Sequence, residues 1–126
     1  MLAFGAGLVW LWAGLAQAGT FDGWAYRLPV TIPGYDKSET LTNFPVLVVL
    51  SNNIGGSGLD YARFASSSGA DLRFAASNET DELRYEIEKW DTNGASFVWV
   101  RIPELASTAP VLYAYWGNPN AAPAPA

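Results

Sequence analysis

The chain has 126 residues, of which half are hydrophobic and 15% are charged, and its seven Lys and Arg against twelve Asp and Glu give a net charge of −5. This length suits a single domain, and the acidic balance without a cluster of basic residues excludes a typical nucleic-acid interface. Because the sequence has no Cys and no His, it also excludes disulfides, thiolate metal sites and a Ser-His-Asp triad.

The amino-terminal segment has the pattern of an export signal. No charged residue precedes Asp22, and the apolar run Leu2–Leu15 is followed by small residues at Ala16–Ala18 (AQA). We therefore expect a signal peptide over residues 1–18, although it lacks the positive charge that usually precedes the apolar run. The alternative is an uncleaved anchor, since about 20 uncharged residues can span a bilayer. Either way, we expect an exported bacterial protein that is periplasmic, secreted or at the cell surface.

The rest of the chain is predicted to form short β-strands. In chain order the candidates are Tyr26–Ile32, Phe44–Leu50, Asp71–Ala75, Leu83–Trp90, Ser96–Ile102 and Pro110–Trp116. Most of them alternate between apolar and polar residues, which is the period of a strand that buries one face. Pro29 predicts that the first strand lies at a sheet edge. Phe44–Leu50 is apolar on both faces, which predicts a strand in the middle of the fold that starts at Pro45.

Turn signals between these candidates complete the fold prediction. In Asp91–Gly94 the Asn-Gly pair favours a hairpin turn with positive φ, and Leu59–Phe64 predicts one helical turn with both end side chains packed inward. Six to eight short strands predict an all-β fold, an antiparallel and jelly-roll-like β-sandwich over residues 19–120. The Pro/Ala-rich residues 121–126 predict an extended tail or linker that does not pack.

Six sequence blocks carry a family resemblance. They are WAYR at 24–27, LTNFPVLV at 41–48, GADLRF at 69–74, LRYEIEKWD at 83–91, VWVRIP at 98–103 and YAYWGNP at 113–119. In this order they resemble domain-of-unknown-function family 2341 of bacteria and archaea, with Trp116 in place of an expected Tyr. The resemblance implies an exported module of multidomain envelope proteins, often beside concanavalin A-like lectin domains and in some proteins of the MotA/TolQ/ExbB type. It implies no activity, because the family has none assigned.

Charged residues on two strands are candidates for ligand contact. Glu86 and Glu88 are predicted to project from one face about 7 Å apart, and Asp71 and Arg73 form a similar pair. Glycosidases use two carboxylates, but such a Glu pair on a sheet is more typical of a solvated face bridged by arginine, here Arg73 and Arg84. We therefore predict no catalytic residue and no enzyme, and keep a glycoside hydrolase using Glu86 and Glu88 as a third alternative.

Aromatic residues form the second candidate set. Alternation places Trp99 on the outward face of its strand and Tyr115 on the same face as Tyr113, and Trp90 lies beside the predicted hairpin. An exposed Trp or Tyr can stack on a sugar ring, but a small sandwich also fills its core with these residues, and both readings stay open here.

A calcium site is the third possibility. Lectin-like sandwiches often use calcium, whose ligands are oxygen atoms. Asn52, Asn53 and Asp60 border a glycine-rich loop, and Asp91 and Asn93 border the hairpin. No spacing matches an EF-hand, so no metal ligand is assigned, and calcium is kept as an alternative.

The sequence favours an exported, non-catalytic module of the bacterial cell envelope that serves adhesion or recognises a ligand, with carbohydrate as the ligand class. This hypothesis predicts at least two aromatic side chains exposed together beside polar groups. The alternative is a spacer or protein-interaction module in an envelope assembly associated with a proton channel. It predicts buried aromatics and a flat face on which Arg73 bridges Glu86 and Glu88. Membrane contact is expected only through an uncleaved signal or a neighbouring domain.

Overall fold

The computed structural model describes residues 19–53, 56, 58–107 and 111–125. The predicted signal peptide lies outside these residues. Within the part of the chain that is described, no helix is long and apolar enough to cross a membrane.

Seven strands in the described residues form two antiparallel sheets. The strands are β1 (Tyr26–Thr31), β2 (Leu41–Leu50), β3 (Arg73–Ala75), β4 (Glu82–Leu83), β5 (Tyr85–Lys89), β6 (Ser96–Leu105) and β7 (Val111–Trp116). One sheet has the strand order β1-β7-β3-β4 and the other has the order β2-β6-β5. The prediction of an all-β, antiparallel fold is confirmed. Tyr61–Arg63 forms a single 3₁₀ turn whose flanking residues Leu59 and Phe64 are buried, as predicted.

Inward-facing side chains of both sheets form the main core. From Ser96 to Ile102 in β6 every second side chain is buried, namely Ser96, Val98, Val100 and Ile102. Trp99 and Arg101 alternate with them and are exposed, as the period of two predicted. In the other sheet β7 is the only described strand that pairs with β1, so the edge position that Pro29 predicted is also confirmed.

The prediction for β2 is wrong. The strand begins at Leu41 rather than at Pro45, and among the described strands it pairs only with β6, so it lies at the edge of its sheet. Leu47 and Val49 are each 46% exposed, because no described element covers the outer face of this three-stranded sheet. A strand that is apolar on both faces, such as Phe44–Leu50, can therefore lie at a sheet edge with one apolar face exposed as well as in the middle of a fold.

Pro45 shows how the sheet tolerates a proline in the middle of β2. It lies opposite Arg101, whose backbone N–H donates to the Arg84 carbonyl oxygen at 2.9 Å. The N–H and C=O of one strand residue point to the same side, so those of Arg101 point towards β5. Pro45 therefore lies in a non-hydrogen-bonded pair, where its missing N–H would point to the open edge and the β2–β6 ladder loses no bond.

The single strand predicted for Leu83–Trp90 is two strands in different sheets. Leu83 pairs with Phe74 in the four-stranded sheet, whereas Tyr85 pairs with Val100 in the three-stranded sheet. The chain crosses between the sheets at Arg84. Alternation alone did not reveal this crossing, because the inward period continues through it.

The hairpin predicted at Asp91–Gly94 joins β5 to β6, but without the expected positive φ at Asn93 or Gly94. Gly94 donates its N–H to the Asp91 carbonyl at 3.3 Å, and the Asp91 carboxylate accepts the Asn93 N–H at 2.9 Å. This side-chain hydrogen bond is typical of Asx turns. It stabilises the turn without the positive φ that the Asn-Gly pair predicted.

Candidate functional site

Asp71 is a buried carboxylate at the junction of three segments. Only 2% of the residue is exposed, and its oxygens accept four backbone N–H groups. The donors are Ala65 at 2.9 Å, Ser66 at 3.1 Å, Gly117 at 2.7 Å and Asn118 at 3.2 Å. Burial by itself would raise the pKa of Asp71, but these four bonds lower the pKa below its ordinary value. The carboxylate thus joins the loop before β3 to the end of β7.

Arg73 is equally buried and holds a different set of segments. Its guanidinium donates to the carbonyls of Ala70 at 2.9 Å and Leu72 at 2.6 Å, and to that of Ala122. It also pairs with Glu82 at 3.3 Å and lies over the Trp24 ring at 5.7 Å. The bond to Ala122 shows that the beginning of the predicted Pro/Ala tail contacts the domain.

The structure corrects the predicted ion-pair partner of Arg73. Arg73 pairs with Glu82 and not with Glu86 or Glu88, because it belongs to β3 in the other sheet. Asp71 and Arg73 are each only 2% exposed, and their charged groups hydrogen-bond to backbone groups. Neither side chain therefore offers a free group to a ligand. Both act as structural anchors.

Trp90 is also a packing residue. Its ring meets Tyr61 and Phe64 edge to face, with centroids 5.3 and 5.1 Å apart, and its indole N–H donates to the Ser67 carbonyl at 2.9 Å. Gly69 lies beneath the ring, where a Cβ atom would come within 2.7 Å of it. The half-buried indole is therefore held in the core and is not a free platform.

Tyr115 does not form an exposed platform. It is buried and stacks on Phe21 with ring centroids 4.4 Å apart. Its hydroxyl donates to the Glu79 carboxylate at 2.5 Å, and Arg27 also binds this carboxylate. Tyr115 belongs to the central strand β7, which is covered on both faces. Because the sequence of this strand is apolar on both faces, the pattern could not show whether Tyr113 or Tyr115 is exposed.

We expect Tyr115 to ionise at unusually high pH. Burial and the hydrogen bond to Glu79 raise the pKa of Tyr115 to about 12, whereas an unfolded chain ionises it near 10. The folded state therefore keeps the proton that the unfolded state loses, so this residue's contribution to stability falls as the pH rises from 10 towards 12. The difference between the alkaline absorbance titrations of wild type and Tyr115→Phe should show one phenol with a midpoint near 12. A midpoint near 10 would contradict the described contact.

Trp99 lies at the centre of the exposed face of the three-stranded sheet. The side chain is 39% exposed, and its indole N–H donates to the Glu88 carboxylate at 2.6 Å. Across the sheet it lies between Leu47 on β2 and Glu86 on β5. Of the predicted ligand residues, the structure therefore brings together Trp99, Glu86 and Glu88, away from Asp71 and Arg73.

A shallow groove of about 460 Å³ runs beside Trp99, and we call it the Trp99 groove. It is lined by Pro45, Arg84, Tyr85, Glu86, Trp99, Val100 and Arg101. Sequence reasoning did not include Arg101 among the candidates, although the alternation of β6 placed it on the same outward face as Trp99. An aromatic face, carboxylate and guanidinium groups in one groove can stack on and hydrogen-bond to a polar ligand.

Three of the residues considered for calcium use a side-chain oxygen to accept a backbone N–H group. The side-chain oxygen of Asn52 accepts the Tyr61 N–H at 2.9 Å, that of Asn53 accepts the Gly58 N–H at 3.2 Å, and Asp60 caps the 3₁₀ turn through the Ala62 N–H. In the described ranges, no three or more acidic side chains are grouped as metal ligands would be. These residues shape the loop.

Comparison with known proteins gives one family. A family model described as Domain of unknown function (DUF2341) matches residues 68–125, which include β3 to β7, the two anchors and most of the Trp99 groove. No curated protein and no solved structure matches the chain. The first two sequence blocks, at 24–27 and 41–48, lie outside the matched residues. Over residues 68–125 the chain is thus similar to DUF2341, and the resemblance that the sequence blocks indicated is confirmed.

Proposed function

We propose that this domain is a non-catalytic recognition module of an exported envelope protein and that the Trp99 groove binds carbohydrate. The observation that carries the proposal is an exposed indole with charged hydrogen-bonding groups beside it. The apolar C–H face of a sugar can lie on the Trp99 ring, while Glu86 and Arg101 hydrogen-bond to its hydroxyl groups.

The hydrogen bond from Trp99 to Glu88 supports this proposal. It holds the ring in one orientation before any ligand arrives, so less side-chain entropy is lost on binding. It also gives Glu88 a positioning role, which replaces the arginine bridge that the sequence suggested for this pair.

Tyr115, the second aromatic residue that the sequence suggested for a sugar platform, is buried. Next to Trp99 the surface is apolar, with Leu47 and Val49 nearly half exposed. An apolar patch of this kind is typical of protein-interaction sites. This observation favours docking of an envelope protein as the second candidate function.

A glycan-array screen of the purified protein, with and without calcium, tests the proposal. We expect the wild type to bind a glycan and Trp99→Ala to bind it with an affinity lower by at least about tenfold, equivalent to about 1.4 kcal/mol of binding free energy. Tyr115→Phe is the matched aromatic control and should bind as the wild type does, since its ring lies away from the groove. Equal binding by Trp99→Ala would contradict the proposed site. A negative screen with folded protein would favour the protein-interaction function.

A further inference from the structure

Two arginines lie side by side in the Trp99 groove. Arg84 and Arg101 are opposite each other at the start of the β5–β6 ladder, where the Arg101 N–H donates to the Arg84 carbonyl at 2.9 Å. Both are exposed and line the groove. Like charges directly opposite on neighbouring strands repel each other and destabilise the pair, so this arrangement lacks a structural reason of the kind found for Arg73.

The other basic residues of this acidic chain have acidic partners. The five ion pairs among the described residues are Arg27–Glu79, Lys37–Asp36, Arg63–Asp60, Arg73–Glu82 and Lys89–Asp91. The chain has seven Lys and Arg in total, all of them in the described ranges. Arg84 and Arg101 are the two with no carboxylate of the described residues within 4.0 Å. In a protein with net charge −5, the two unneutralised cations thus occur together and beside the exposed indole.

We infer that the Trp99 groove binds a sugar that carries a carboxylate, that is, a uronic acid unit, an inference that rests on the proposed function. The carboxylate lies against Arg84 and Arg101, because the planar guanidinium group matches a carboxylate through two parallel hydrogen bonds. The neighbouring pair on the same face, Glu86 and Trp99, lies two residues along the strands from the two arginines, a distance of about 7 Å. One sugar unit can therefore contact Trp99 with its ring and both arginines with its acid group.

Glu86 sets the orientation of the ligand in this arrangement. Its carboxylate lies opposite Trp99 and repels a second negative charge, so the acid group of the sugar is restricted to the arginine end. The hydroxyl groups of the sugar can donate to Glu86. The groove is thus predicted to distinguish a sugar acid from its neutral counterpart by charge.

Calorimetric titration with tetragalacturonate and with its methyl ester tests the inference, because the two probes share the sugar backbone and differ in charge. We expect the acid to bind at least about tenfold more tightly at low salt, with the difference shrinking as salt screens the charges. Arg84→Gln and Arg101→Gln should each remove most of this preference. Lys37→Gln, the same charge change in the β1–β2 connection, should leave it unchanged.

The possible results separate this inference from the proposed function. Equal affinity for the acid and the ester, or a preference that survives both arginine substitutions, would overturn the uronate assignment. Inorganic sulfate that binds as tightly as tetragalacturonate would also overturn it, since the site would then be selective for anions and not for sugars. If neutral glycans bind through Trp99 while the acid does not, the proposed function stands and this inference fails. If no glycan binds, both fail.

Discussion

Replacing Asp71 with Asn should destabilise the fold by about 3–5 kcal/mol, within the range measured when a buried charged network is broken. The substitution hardly changes the volume of the side chain. It does replace one acceptor oxygen with an NH₂ group that faces backbone donors. At least one of the four N–H groups at Ala65, Ser66, Gly117 and Asn118 is then buried without a partner, and the others lose a charged acceptor.

The effect of Asp71→Asn should depend on pH. Because the pKa of Asp71 is lowered in the folded state, the unfolded chain binds its proton at higher pH than the folded chain does. The carboxylate's contribution is therefore complete well above the ordinary aspartate value of 3.8 and is lost as the pH falls through the folded-state pKa. The stability difference between wild type and variant should be constant near neutral pH and shrink below about pH 4.

Denaturant unfolding across this pH range measures both effects. Asp36→Asn, which removes an exposed carboxylate, is the matched control and should change the free energy of unfolding by less than about 0.5 kcal/mol. A loss below about 1 kcal/mol for Asp71→Asn, or a difference that grows in acid, would show that the carboxylate is not the anchor described here.

Arg73→Met is expected to lower the free energy of unfolding by about 3 kcal/mol. The reason is that a buried cation that donates to three carbonyls is replaced by an apolar chain of similar length. The carbonyls of Ala70 and Ala122 then lose their donor, and Glu82 loses its partner. The loss of the Ala122 bond should also release the carboxyl-terminal segment, so proteolysis there should become faster than in the wild type.

Glu82→Gln separates the ion pair from the backbone contacts of Arg73. The Glu82 side chain is 34% exposed, so the ion pair alone is worth less than about 1 kcal/mol, and the tail should stay protected in this variant. If Arg73→Met and Glu82→Gln lowered the free energy of unfolding equally, the ion pair and not the backbone contacts would explain the role of Arg73.

Periodicity predicted the parts of the fold in which one face of a strand is buried. The inward residues of β6, the edge position of Pro29 and the helical turn near Tyr61 were all predicted from local patterns. The family blocks also identified Asp71 and Arg73 as residues of interest. Their function as anchors was not predictable, since it depends on backbone groups at Gly117 and Ala122 that are distant in sequence.

The errors have a common physical origin. A strand that is apolar on both faces can be central, as β7 is, or lie at an edge with an uncovered face, as β2 does. The sequence patterns of the two are alike, so the pattern left the exposure of Tyr115 open and placed Leu47 inside. The strand break at Arg84 was missed for a related reason, because the inward period continues while the hydrogen-bonding partner changes.

We propose that ligands bind at the Trp99 groove while Asp71 and Arg73 only hold the fold. The most direct test is an NMR titration of the ¹⁵N-labelled protein with a glycan that binds on the array, following the indole N–H signals of the tryptophans. We expect the Trp99 indole and the backbone signals of Glu86 and Arg101 to shift together, while the indole signals of Trp24 and Trp90 stay in place. Shifts at Trp24 or Trp90 with an unchanged Trp99 signal would contradict it.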